Sequence, residues 1–285
     1  MRTLVVPVDG ASNSLDAANY AADMALAIDA DLHLLHVVRI VVTPEPVVAG
    51  YVVEDMVKAG KTMLDKLSGE LRDRTHGQVT IEALLEIGNV DFQITEVCRR
   101  LQPFAVIMGA PEGSFTRVLY GSPALDAARR LPYPVLVIPP GATFRRIRKV
   151  VLACEAKEIA GEMPVTARFL KELKDLFGCG FDIIHVGSGD ERKESKQVFE
   201  LYRWQRALAT VDPQLHFVSD KSVPQAVEKY LSDHDADWLM VFPQEHGLLE
   251  FHKSRSKTLL LHCTVPVMSI CEEAFALQHP SPTHV

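Results

Sequence analysis

The sequence predicts two tandem α/β domains, each a parallel sheet with helices on both faces. Two observations predict this fold class. Short apolar runs alternate with stretches of helical periodicity along the chain, as they do where strand–helix–strand crossovers build a parallel sheet. Four apolar landmarks of the first half also return in the same order in the second half, which indicates a tandem duplication.

The repeated landmarks set the domain limits. Leu4–Asp9 returns as Val150–Glu155, Leu34–Val37 as Ile183–Val186, Ala105–Gly109 as Leu239–Pro243, and Tyr133–Ile138 as Val265–Ile270. Pro139-Pro140-Gly141 is a linker signal near the join. We therefore predict a first domain over residues 1–140, a second and more diverged domain over 145–273, and a C-terminal tail over 274–285.

The strands of the first domain are predicted from nearly continuous apolar runs, which are typical of strands buried on both faces. They are Leu4–Val8, Leu32–Val38, Val79–Leu85, Ala105–Met108 and Val135–Ile138. Apolar residues recur at helical spacing between them, in Ala17–Ile28, Val53–Leu71 and Val90–Leu101. Five strands separated by helices predict a Rossmann-like domain.

The second domain repeats this alternation. Its predicted elements are Val150–Cys154, helix Val165–Phe177, Phe181–Val186, helix Lys193–Ala209, Leu215–Val218, helix Val223–Ser232, Trp238–Phe242, helix Ser256–His262 and Pro266–Ile270.

Open parallel sheets bind ligands beyond the carboxyl ends of their strands, and the first domain carries suitable residues there. The candidate binding residues are Asp9 after the first strand, Val37 at the end of the second, Gly109 and Gly113 after the fourth, and Gly121 with Ser122 at the start of the last helix. Glycines let a backbone approach a ligand closely, and a helix start with a hydroxyl suits phosphate. Asp9 is suited to accept hydrogen bonds from ribose hydroxyls or a base.

A purely structural interpretation of these residues stays open from their spacing. Gly109 and Gly113 would then only make a turn, Ser122 would only cap a helix, and Asp9 would close an Asx turn after the strand.

The segments Pro7–Gly10, Leu34–Val38, Val106–Gly109 with Gly113 and Gly121-Ser122, and Tyr133–Ile138 together resemble the universal stress protein family. The resemblance covers the first domain and, more weakly, most of the second. It implies a five-stranded sheet in the order 3-2-1-4-5 in each domain, in which the last strand lies at a sheet edge that needs cover. Since members of the family pair this strand between units, the resemblance implies that the two last strands pair within this chain, and a homodimer is a further possibility. It also implies a site for ATP or AMP between the first and fourth strands, with Mg²⁺ accompanying the nucleotide, and a role in stress response or signalling.

The loop that would hold phosphate departs from the family pattern of glycine, two residues, glycine, nine residues, glycine and Ser or Thr. Pro111 and Glu112 follow Gly109 where a glycine is expected, Gly113 comes one residue late, and Gly121 one residue early. The second domain departs further. Glu155 replaces the aspartate, Pro243–Gly247 replaces the glycine loop, and Lys253-Ser254 replaces the Gly-Ser pair.

Composition excludes several other classes. With a formal net charge of −7, the chain lacks the excess of positive charge by which nucleic-acid-binding proteins attract phosphates. No apolar run reaches the roughly 20 residues that span a bilayer, so we expect no membrane partner. Five irregularly spaced cysteines predict neither disulfides nor a zinc site, and they favour a cytoplasmic location.

These observations favour a stress-response protein without turnover chemistry as its main role, and no catalytic residue or metal ligand is assigned. Two alternatives stay open. One is a slow nucleotide hydrolase in which Asp9 or Glu112 orients a water. The other is a scaffold that binds no nucleotide.

Overall fold

The computed structural model describes residues 1–39, 46–110, 127, 130–153, 163–187, 201–220, 222–242 and 263–271. The chain divides into two compact units. The first consists of Met1–Ala127 with Val135–Phe144, and the second of Ala128–Pro134 with Arg145–Val285. Each unit is an α/β structure with a parallel sheet, which confirms the predicted fold class.

The first unit alternates strands and helices. Its elements are β1 (Arg2–Pro7), α1 (Ser12–Ile28), β2 (Ala30–Val38), α2 (Pro46–Arg74), β3 (Ile81–Ile87), α3 (Val90–Leu101), β4 (Ala105–Gly109) and β5 (Val135–Ile138). The strands are parallel and lie in the order β3-β2-β1-β4-β5. This is the order that the family resemblance implies, and it places β1 and β4 side by side with their carboxyl ends at one edge.

Helices cover both faces of this sheet. Leu85 and Glu86 are successive residues of β3 and therefore point to opposite faces. Leu85 lies against Gly60 of α2, whereas Glu86 forms an ion pair with Arg100 of α3. Between the two layers, the strands β4 and β5 are almost completely buried, as their apolar runs predicted.

The second unit repeats the arrangement. Its elements are β6 (Lys149–Ala153), α4 (Pro164–Phe177), β7 (Gly180–Gly187), a helical segment over residues 201–207, a 3-10 turn (Ala209–Val211), β8 (Gln214–Ser219), α5 (Val223–Asp233), β9 (Trp238–Val241) and β10 (Val267–Ser269). The strands are again parallel, in the order β8-β7-β6-β9-β10. Trp204 and Trp238 are the largest fully buried side chains and fill its core.

The boundaries differ most from prediction at two helices. The helix α1 begins at Ser12, five residues before the first apolar position that predicted it, because the first turn of a helix needs no apolar side chains. The helix α2 begins at Pro46, and proline is favoured at the first position of a helix. The predicted helix Ser256–His262 and the tail over 274–285 lie outside the described residues. No helix in the described ranges is both long and apolar enough to cross a membrane.

Candidate functional site

The candidate site lies where β1 and β4 end in the first unit. Leu4 of β1 is in register with Ala105 of β4, so the residues that follow the two strands reach the edge of the sheet at the same level. The connection from β1 to α1 is short, since β1 ends at Pro7 and α1 begins at Ser12. The residues between them line the switch point of the sheet, where open α/β sheets bind ligands.

Asp9 lies exposed in the connection between β1 and α1, and one of its two carboxylate oxygens already accepts a hydrogen bond. Its Oδ1 atom accepts a hydrogen bond from the backbone N–H of Ala11 at 3.0 Å, which is the Asx turn of the structural interpretation. The backbone N–H of Asp9 donates to Ser14 Oγ at 3.4 Å. Gly10 follows with a φ of +84°, a conformation that favours glycine. Within the described residues, Oδ2 of Asp9 has no hydrogen-bond partner.

Asn13 is the residue at this edge that sequence reasoning missed. Its side-chain amide donates to the carbonyl oxygen of Ala110 at 2.8 Å, and its Oδ1 accepts from the backbone N–H of Ser14 at 2.9 Å. The side chain thereby joins the start of α1 to the end of β4. An asparagine at a helix start predicts only a local cap, because nothing in the sequence relates it to a residue so distant along the chain.

Gly109 is required by packing at this same point. A Cβ atom built on Gly109 would lie 2.2 Å from the backbone carbonyl oxygen of Asn13, closer than any real Cβ contact. The missing side chain of Gly109 therefore makes room for the first turn of α1. The sequence left open whether this glycine makes room for a ligand or serves the fold, and the contact with Asn13 gives it a structural reason.

Val37 is half-buried on β2 and points away from α2. Its neighbour His36 faces α2, where a Cβ on Gly60 would lie 2.6 Å from the imidazole Cδ2 atom. His36 Nδ1 lies 2.8 Å from the carbonyl oxygen of Val8 and must carry the proton, because a carbonyl only accepts. His36 thus fixes the end of β1 from the α2 side, while Val37 faces the α3 side.

The remaining predicted residues lie outside the described part of the chain. These are Gly113, Gly121 and Ser122 of the first unit, and Glu155, Pro243–Gly247 and Lys253-Ser254 of the second. The phosphate loop therefore stays a prediction. The described site consists of Asp9, Gly10, Asn13 and Gly109.

A separate polar cluster lies at the amino end of the strands in the second unit. Asp182 is only 5% exposed and binds Lys149 Nζ and the Tyr230 hydroxyl, each at 3.0 Å from Oδ2. Burial and the negative charge of Asp182 both raise the pKa of Tyr230, so this phenol stays protonated. The cluster joins β6, β7 and α5. Among the described residues, no group of His, Cys, Asp or Glu is arranged to hold a metal ion.

The described cysteines are buried, free thiols. Burial raises the pKa of Cys98 to about 12 and the pKa values of Cys179 and Cys263 to about 11. The thiolate is the reactive form of cysteine, and these three residues are therefore inert at neutral pH.

Comparison with known proteins agrees with this architecture. A universal stress protein from Archaeoglobus fulgidus has a solved structure with a TM-score of 0.71 and 16% identity, covering 95% of this chain and 98% of its own. A functionally unknown protein from Pseudomonas aeruginosa matches with a TM-score of 0.61 and 16% identity, covering 97% and 95% of the two chains. At this identity the likeness shows the fold, and it extends over both units. No curated protein matches the sequence.

The match to a family model lies in the first half of the sequence. The model of the universal stress protein family matches residues 1–139, which include β1 to β5 and the whole candidate site. Residues 1–139 of this chain are therefore a domain of the universal stress protein family.

Proposed function

We propose that this protein acts in stress response or signalling by binding an adenine nucleotide, ATP or AMP, at the carboxyl edge of β1 and β4. The observation that carries the proposal is the carboxylate of Asp9. One of its oxygens is held by the Asx turn, which fixes its direction, and the other has no partner within the described residues. A fixed, exposed carboxylate oxygen is suited to accept hydrogen bonds from the two hydroxyls of a ribose.

The surroundings of Asp9 support a rigid site. The bond from Asp9 N–H to Ser14, the bond from Asn13 to Ala110 and the contact of Gly109 with Asn13 tie the β1–α1 connection to β4. A ligand that binds Asp9 therefore meets a group already in place and loses little free energy to ordering it.

A scaffold without a nucleotide is the second candidate, and one observation favours it. The side chain and carbonyl of Asn13 occupy the space next to Gly109, where the backbone would otherwise approach a ligand. In this alternative the glycine and the aspartate only shape the edge of the sheet.

Native mass spectrometry and calorimetric titration with ATP and AMP separate the two candidates. We expect a bound nucleotide and a measurable Kd. The substitution Asp9→Asn keeps an oxygen for the Ala11 N–H but removes the charge, and we expect it to weaken binding about 10- to 100-fold. Asp31→Asn, at the amino end of β2, is the matched control and should bind like the unchanged protein.

Two outcomes would contradict the nucleotide proposal. If neither nucleotide binds or raises the Tm, the scaffold is supported. If Asp9→Asn binds as tightly as the unchanged protein, the ligand lies elsewhere. The titrations also include cAMP and dAMP, which carry the same adenine base on a ribose that is cyclised or lacks one hydroxyl.

We further propose that turnover is not the main role of this protein. The check is phosphate release from ATP with Mg²⁺ present. Release above background that Asp9→Ala abolishes would identify a hydrolase instead.

A further inference from the structure

The strand β8 is an edge strand of the second unit. It pairs in parallel with β7 along its whole length, and no other described strand pairs with it. From Gln214 to Val218 its residues are half-buried or exposed, and Phe217 is 52% exposed. An exposed edge of this kind offers a row of backbone donors and acceptors to another strand.

The hydrogen bonds of β8 decide which residues offer those groups. The backbone N–H of Asp220 donates to the carbonyl of Gly187, so the even-numbered residues of this strand point their backbone groups toward β7. The odd-numbered residues Leu215, Phe217 and Ser219 therefore point theirs toward the open edge.

The side chains of β8 do not oppose pairing. The segment Gln214–Ser219 contains no Asp, Glu, Lys or Arg, the charged residues with which proteins commonly protect edge strands. The edge strand of the first unit shows that protection. In β3, Glu82 and Glu86 are four residues apart and therefore point to the same face of the strand.

We propose that β8 pairs antiparallel with β8 of a second copy of this chain, about a two-fold axis centred on Phe217. This register brings Phe217 opposite its own copy and Leu215 opposite Ser219, so every outward backbone group of the strand gains a partner. It is the register with the most backbone hydrogen bonds, because a shift in either direction leaves outward groups unpaired. The two phenyl rings then lie on the same face of the joined sheet and form an aromatic cross-strand pair.

Charge explains why the second copy pairs through β8 and not through β3. The outward backbone groups of β3 belong to its odd-numbered residues, since Gly88 donates to the carbonyl of Val38. The two-fold register with the greatest overlap is centred on Leu84, and it places Glu82 directly opposite Glu86 twice. Like charges in directly opposed positions destabilise strand pairing. The corresponding register of β8 opposes no two like charges.

Sedimentation velocity of the full chain over a wide concentration range tests the proposal. One pair of short strands is a small interface, so we expect a reversible dimer at the highest concentrations. The substitution Phe217→Pro removes the phenyl ring and an outward N–H but no backbone bond to β7, since those bonds come from the even-numbered residues. Phe217→Lys places two like charges opposite each other. We expect each change to weaken dimerisation about tenfold or more.

Phe92→Lys is the matched control, because Phe92 is 61% exposed in the first unit and lies far along the chain from β8. It should dimerise like the unchanged protein. Circular dichroism and Tm report whether each variant is folded, and Phe217→Lys decides the matter if the proline variant is not. A monomer at all concentrations would overturn the proposal. A dimer that a folded Phe217→Lys variant forms as tightly as the unchanged protein would overturn it as well.

Discussion

Gly109 is a single motif residue whose identity is explained by the packing of the fold. A glycine after a buried strand is typical of a phosphate-binding loop and equally typical of a tight contact between elements. The distance of 2.2 Å from its missing Cβ to the Asn13 carbonyl indicates the second cause for this residue. The two causes are compatible, since a glycine that lets α1 approach also keeps the edge of the sheet open beside Asp9.

Gly109→Ala should lower the free energy of unfolding by roughly 1–3 kcal/mol or more, because the new methyl overlaps a backbone carbonyl that cannot move without shifting α1. Urea denaturation measures the change. Gly69→Ala is the control: a Cβ there meets nothing within 4 Å, and alanine in a helix should gain roughly 0.5–1 kcal/mol. Equal effects at both positions would contradict the packing argument.

The helices α1 and α3 differ, at the scale of elements, in how their first turns are capped. Asn89 precedes α3, and its side chain accepts a hydrogen bond from the N–H of Phe92 at 3.0 Å. Ala11 precedes α1 with extended backbone angles and provides no side-chain cap. The start of α1 is held instead by Ser14 and Asn13, whose side chains also serve the candidate site.

Asn89→Ala should therefore cost about 1 kcal/mol of stability, whereas Ala11→Ser should gain about 0.5–1 kcal/mol. The two substitutions have opposite signs because one removes a cap and the other supplies a missing one. The shift in urea midpoint at a constant m-value measures both. A loss of stability in Ala11→Ser would mean that the β1–α1 connection has no room for a hydroxyl.

Buried thiols occur in both units, so they affect the pH dependence of the stability of the whole molecule. Cys98 lies in the first unit and Cys179 and Cys263 in the second, and burial raises all three pKa values. A raised pKa means that folding favours the protonated thiol. The stability from this source is complete below the ordinary thiol value of 9.0 and is lost as the pH rises toward about 12 for Cys98.

The free energy of unfolding should accordingly fall above pH 9 by roughly 1.4 kcal/mol per pH unit for each such cysteine. Cys98→Ala isolates one contribution: the stability difference between the unchanged protein and this variant should shrink between pH 9 and 11. Denaturation at a series of pH values checks this, and a constant difference would mean that Cys98 titrates alike in the folded and unfolded states.

The sequence by itself determined the alternation of strands and helices, because burial on both faces leaves apolar runs and burial on one face leaves helical periodicity. It also determined the duplication and the edge of the sheet at which Asp9 and Gly109 lie. The strand order 3-2-1-4-5 was expected from the resemblance to the universal stress protein family. The family model that matches residues 1–139 confirms this resemblance.

Only the tertiary structure decided which residues meet at that edge. Asn13 contacts Ala110 and Gly109, and His36 contacts Val8 and Gly60, and none of these pairs is close in the sequence. Their proximity follows from the packing of α1 and α2 on the sheet, which brings backbone to backbone at the glycines. The edge strand β8 depends on the fold in the same way, since only the hydrogen bond of Asp220 to Gly187 shows which of its backbone groups point outward. The spacing of apolar residues shows which side chains are buried, whereas the neighbours of each side chain depend on how the helices pack on the sheet.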